Sequence, residues 1–181
     1  MISFKSKITQ KILNYYFLNP RARHYINELA RLFKLDPKNV DTKLKELERE
    51  GVMRSEFSGQ QRYFSLAKNS PLVKTYRDIF MRTAGLEERL RKQLGNIVGL
   101  KAVYIYGSYA KNTMDSGSDI DILAIGEHSA LSVQKAINGI QKESGREINV
   151  MHMTPKELQE KRKSRNAFIA NIFSGKVIKL I

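Results

Sequence analysis

Val103-Tyr104-Ile105-Tyr106-Gly107-Ser108-Tyr109-Ala110-Lys111 and, after a short spacer, Ser118-Asp119-Ile120-Asp121-Ile122-Leu123 decide how this chain reads. An apolar run ends at a Gly-Ser pair, and eleven residues beyond Ser108 comes Asp119, then Ile120, then Asp121. As strand, turn, strand, this sets a backbone corner beside two carboxylates on one strand face, because side chains alternate with period two. Like charges held that close raise each other's pKa. A chain tolerates such a pair mainly where a cation lies between them. With oxygen ligands only, the expected cation is Mg2+ or Mn2+, completed by waters and substrate phosphates.

Working outward, strands and helices alternate. Strand 101–106 is apolar on both faces, as in a central strand. Strand 119–125 follows, then a helix over 130–144 closed by Gly145, and a strand over 146–152. Thr154-Pro155-Lys156-Glu157 is a capping box with proline in its first turn. It opens a helix to about 173, stopped at Ser174-Gly175, before a terminal strand 176–181. Residues 99–181 therefore read as one small α/β domain.

Gly107-Ser108, a spacer and Asp119-Ile120-Asp121 together resemble the signature of the polymerase-β-like nucleotidyltransferase superfamily in its minimal form. The resemblance implies a mixed sheet flanked by helices. It also implies Mg2+-dependent (or Mn2+-dependent) transfer of a nucleoside monophosphate from an NTP to an acceptor hydroxyl on a protein, an RNA or a small molecule. Ser108, the backbone amides after Gly107 and Lys111 would hold the triphosphate. Asp119 and Asp121 would hold metal. The family uses a third carboxylate from a neighbouring strand, and Glu147, in Arg146-Glu147-Ile148-Asn149-Val150, is the choice here, as ligand or base. Glu143 and Glu127 fall on a helix and in a loop. Lys111 and Asn112 depart from the Arg and Gly frequent in relatives, and Glu147 from the usual Asp. Relatives of this size often pair with a small helical protein in toxin–antitoxin-like modules, so such a partner is expected beside nucleotide. The alternative is a fold retained without catalysis, in which nucleotide is sensed or a partner bound. His24, His128 and His152 read as structural or solvated.

Residues 1–70 carry a different pattern. A helix over 5–17 puts Ile8, Ile12, Leu13 and Tyr16 on one face and stops at Asn19-Pro20. A second, over 25–33, buries Ile26, Leu29, Ala30 and Phe33. Asp36 caps a third, with Pro37 at its first position, Val40, Leu44 and Leu47 as its inner stripe, and Gly51 past its end. Strands 52–57 and 62–66 flank a turn at Ser58-Gly59-Gln60-Gln61. Helix, helix-turn-helix and hairpin in this order resemble a winged helix-turn-helix domain. That resemblance implies DNA as partner and a role in transcription regulation. The third helix would offer Lys38, Asn39, Thr42, Lys43 and Lys45 to the major groove, and the hairpin Arg54, Gln60, Gln61 and Arg62 to the backbone or minor groove. The alternatives to nucleic acid are that this face, diluted by Asp41, Glu46, Glu48 and Glu50, is solvated, or that it binds protein.

Between these two regions, Leu72, Tyr76, Ile79, Phe80, Thr83, Leu86, Leu90, Leu94 and Ile97 recur at spacings of three or four over 71–98. This is a connecting helix, kinked or broken at Gly85, that packs on its neighbours or forms a homodimer. The fold class is thus a two-domain α+β and α/β chain. Its 181 residues leave room for no more than two small domains. The absence of cysteine excludes disulfide frameworks, thiolate zinc sites and cysteine nucleophiles, and fits a reducing compartment. Residues 1–5 lack an apolar leader and no apolar run nears membrane-spanning length, so a cytoplasmic protein with no membrane contact is expected. Net charge is +14: 14 basic against 7 acidic residues through position 70, and 18 against 11 after it, or +7 on each side. Such a balance suits a polyanionic partner.

Overall fold

The computed structural model describes residues 3–115 and 117–181, so Met1 and Ile2 of the leader reading lie outside the described residues. The chain divides into two compact units, between Leu86 and Glu87.

In the first unit, α1 (Lys7–Leu18) starts where Ser6 accepts the Thr9 amide at 3.3 Å. Its three- and four-residue spacing puts Ile12, Leu13 and Tyr16 entirely out of solvent. β1 (His24–Tyr25) leads into α2 (Ile26–Phe33), whose start is fixed by the Tyr25 amide donating to Glu28 Oε2 at 3.1 Å. α3 (Pro37–Arg49) is capped by Asp36, which accepts the Asn39 amide at 3.1 Å. Gly51, at φ +72°, turns the chain into β2 (Met53–Ser58) and β3 (Gln61–Leu66). Ser58 pairs with Gln61, which leaves Gly59-Gln60 as a two-residue turn. The sheet order is β1-β3-β2, all antiparallel. The sequence reading lacks β1: two residues carry no periodicity, and only pairing with Tyr63 and Phe64 makes them a strand.

The proposed connecting helix is two helices. α4 (Pro71–Thr83) buries Phe80 against Phe4 and Phe17, with ring centroids 5.2 and 5.8 Å away. It ends at Ala84-Gly85, where the chain folds back so tightly that a Cβ on Gly85 would lie 2.8 Å from the Met81 Cα. α5 (Leu86–Leu94) follows, and from Glu87 onward it is counted with the second unit.

The second unit continues with β4 (Leu100–Tyr106), α6 (Gly107–Lys111), β5 (Ile120–Gly126), α7 (Ala130–Ser144), β6 (Ile148–Met153), α8 (Pro155–Lys163), α9 (Ala167–Ser174) and β7 (Ile178–Lys179). The sheet order is β6-β5-β4-β7, with β5 and β6 parallel and the remaining pairs antiparallel. It is the expected mixed sheet. The α7 crossover is what allows β6 to run parallel to β5. The expected 154–173 helix is interrupted: Arg165 sits at φ +51°, and Asn166 restarts the chain by accepting the Phe168 and Ile169 amides at 3.1 and 3.2 Å. The break turns Ile169 and Ile172 onto Leu123, Ile125 and Met153 of the sheet. Among the described residues no helix is long and apolar enough to cross a membrane.

Tyr16 is buried with its hydroxyl donating to the Phe64 carbonyl at 3.0 Å, linking α1 to β3. Tyr16→Phe leaves that carbonyl short of a donor. It should lower unfolding free energy by about 1 kcal/mol, read by urea denaturation. An unchanged midpoint would show that the bond does not stabilise the fold.

Candidate active site

Position 107 joins β4 to α6 at φ +72°, a conformation open to glycine at little cost. A Cβ there would also collide with Asp121 Oδ2. The antiparallel register explains this, because Tyr106 lies opposite Asp121. Glycine is thus required twice: for the turn and for the room the carboxylate takes. α6 presents the Ser108 hydroxyl and the first helical amides at this corner, and Tyr106 makes no side-chain cap over them. Lys111 is exposed in the last turn. Asn112 closes α6 in the left-handed conformation, at φ +61°. Asparagine tolerates that geometry better than most residues. Tyr109, buried on α6, donates its hydroxyl proton to Glu87 on α5 at 3.2 Å and so fixes the corner from behind.

Asp119 and Asp121 share one face at the start of β5, as the alternation requires. Burial raises the Asp121 pKa, and the Asp119 charge raises it further. Burial likewise raises the pKa of Tyr106, with Asp121 adding to the effect. The loop before Asp119 is held by Arg146, which is 4% exposed and donates to the Ser118 carbonyl at 2.8 Å. Asp115 accepts from the Ser118 hydroxyl at 2.8 Å and from the Gly117 amide at 3.0 Å.

Glu147 does not complete a three-carboxylate set. It is exposed and lies one residue ahead of β6, with its backbone carbonyl accepting the Ile120 amide at 2.9 Å. The parallel register instead sets Asn149 opposite Asp121, and Asn149 Nδ2 donates to Asp119 Oδ2 at 3.2 Å. Among the described residues no three His, Asp or Glu side chains are placed to hold a metal ion. Glu147 and Asn149 share strand parity, so sequence alone favours the acid. Only the register brings the amide to the site. The two aspartates do fit a single Mg2+, which is commonly held by one or two carboxylates with phosphates and waters completing its shell.

The two further histidines of this unit pair with each other: His128 Nε2 and His152 Nδ1 are 2.8 Å apart, near the other end of β5 from the aspartates. Burial lowers the His152 pKa, and His128 lowers it further.

On the first unit, Lys38 and Asn39 are exposed in the first turn of α3. Thr42 turns its hydroxyl back to the Lys38 carbonyl at 2.9 Å. Lys43 is paired with Glu46 at 2.7 Å and Lys45 with Asp41 at 2.8 Å. On the hairpin, Arg62 holds Glu48 at 2.7 Å, and Arg54 donates to Ser65 at 3.3 Å. Much of the expected basic face is therefore compensated by its own acids.

Residues 87–173 match the family model described as nucleotidyltransferase domain. The match takes in Gly107, Ser108, Asp119, Asp121 and Asn149, and extends over just under half of the chain. No curated protein matches. Among solved structures, reduced HlyU from Vibrio cholerae aligns at 20% identity over 44% of this chain and 78% of that one, with a TM-score of 0.35. A toxin–antitoxin complex with AMP-PNP aligns at 19% identity over 52% and 72%, with a TM-score of 0.38. A mutant of the toxin–antitoxin MntA-HpeT aligns at 16% identity over 53% and 73%, with a TM-score of 0.39.

Gly107→Ala should destabilise the protein by about 1–3 kcal/mol, from left-handed strain plus the collision with Asp121. In an Asp121→Ala background the loss should shrink, because the carboxylate is gone. A double-mutant cycle by chemical denaturation measures the difference. Equal losses in both backgrounds would show that the collision is relieved without cost.

Proposed function

We propose that the nucleotidyltransferase domain binds a nucleoside triphosphate and transfers its nucleoside monophosphate to an acceptor hydroxyl. The observation that carries this is the Gly107 corner packed against Asp121, with Ser108 and open helical amides on one side and Asp119 on the other. The amides, the Ser108 hydroxyl and the Lys111 charge are suited to phosphate oxygens. Asp119 and Asp121 would hold Mg2+ or Mn2+, which supplies charge neutralisation for the phosphates when bound. The acceptor oxygen bonds to the α-phosphorus, the bond from that phosphorus to the bridging oxygen breaks, and pyrophosphate leaves. The hydroxyl proton passes to solvent. Protein, RNA and small-molecule hydroxyls remain the candidate acceptors, and a small helical protein the candidate partner.

A second reading has an observation of its own. Asn149 in place of a third carboxylate favours a domain that binds nucleotide without rapid transfer, as the sensing part of a regulator. In either case the first unit serves as a winged-helix module for DNA. Lys38, Asn39, Thr42, Lys43, Lys45, Arg54 and Arg62 are its contact residues, and the net charge of +14 supports a polyanionic partner.

Incubation with labelled NTP and Mg2+ separates the two readings. The first expects label on an acceptor with the native chain and none with Asp119→Ala plus Asp121→Ala. Nucleotide binding without any label supports the second. For DNA, affinity should fall steeply as salt rises. Asp41→Asn and Glu46→Gln free Lys45 and Lys43 and should each strengthen binding by about 2–5-fold. Lys43→Ala should weaken it. Affinity indifferent to salt and to these changes would remove the DNA role.

A further inference from the structure

We infer that this site takes one divalent cation together with its nucleotide, and that Asn149 is the residue that excludes a second. The inference rests on the nucleotide-binding reading above and adds the composition of its bound state.

Three observations lead to it. First, the anionic donors at the Gly107 corner are Asp121 of β5 and Asp119 immediately before it, and no third acid or histidine joins them among the described residues. Second, the parallel register with β6 delivers Asn149 to the position beside them. Third, the bond from Asn149 to Asp119 has a fixed polarity. A carboxylate only accepts, so the amide must turn its NH2 group, not its carbonyl, toward Asp119 Oδ2. The positive end of a neutral dipole therefore occupies an approach to that oxygen.

Charge then decides the stoichiometry. One Mg2+ between two carboxylates and a triphosphate is well compensated. Two such ions about 3.5–4 Å apart repel strongly and are held together by bridging anions. Here the third protein anion is missing, and an amide proton stands near where it would be. Glu147 does not supply the charge, because it forms no metal-holding group with the two aspartates among the described residues. The amide also has no basic atom with which to take the acceptor proton. The bound state is therefore a nucleotide with one cation, with slow transfer.

The test uses the full chain saturated with a non-hydrolysable NTP analogue and titrated with Mn2+, followed by electron paramagnetic resonance. The native chain should bind one Mn2+ and show no spin-coupled pair. Asn149→Asp should bind two and show the coupled signal. Without metal, its melting temperature should fall, since three carboxylates then face one another, and Mn2+ should restore it. Asn149→Ala should remain at one ion, since it adds no anion. A coupled pair in the native chain, or a single ion in a folded Asn149→Asp, overturns the inference while leaving the nucleotide site intact. Should Asn149→Asp fail to fold, the native stoichiometry alone decides between one ion and two. Failure of the native chain to bind the analogue at any Mn2+ concentration overturns the nucleotide reading itself, and this inference with it.

Discussion

A backbone corner that admits no side chain governs the second unit. At Gly107 the chain turns from β4 into α6 at φ +72°, and the Asp121 carboxylate fills the space a Cβ would need. Everything else in the site follows from keeping that corner in place. The antiparallel pairing of Tyr106 with Asp121 sets the strand register. Tyr109 ties α6 to Glu87, and Arg146 holds the loop that delivers Asp119. Partial burial raises the Asp121 pKa, and Asp119 lies close enough to raise it further. Such an arrangement stores repulsion that a cation relieves.

The sheet explains why the site is built from unequal sides. β5 carries Asp121, follows directly on Asp119 and is otherwise buried along its length, an inner strand of the sheet. β6 lies beside it in parallel and offers whichever residue the register dictates. That residue is Asn149, whose amide satisfies Asp119 without adding charge.

The first unit solves a different problem with the same means. Its core is largely aliphatic and aromatic, with the Tyr16 hydroxyl donating to the Phe64 carbonyl. Its surface is basic in number but largely paired in detail, with Lys43, Lys45 and Arg62 each held by a nearby acid.

Much of this was legible in the sequence for a physical reason: local features are set by local residues. The caps at Asp36 and Thr154, the glycine after α3 and the Asp-x-Asp pattern are fixed by neighbours a few positions away. So are the alternating elements of the second unit and the glycine–serine corner. What the tertiary structure decided is what depends on pairing between distant segments. The two-residue β1 exists only because Tyr63 and Phe64 receive it. The break at Arg165 turns Ile169 and Ile172 of the following helix onto the sheet. The bond from Asn149 to Asp119 likewise depends on register, which is a property of two strands, settled only when β6 docks on β5.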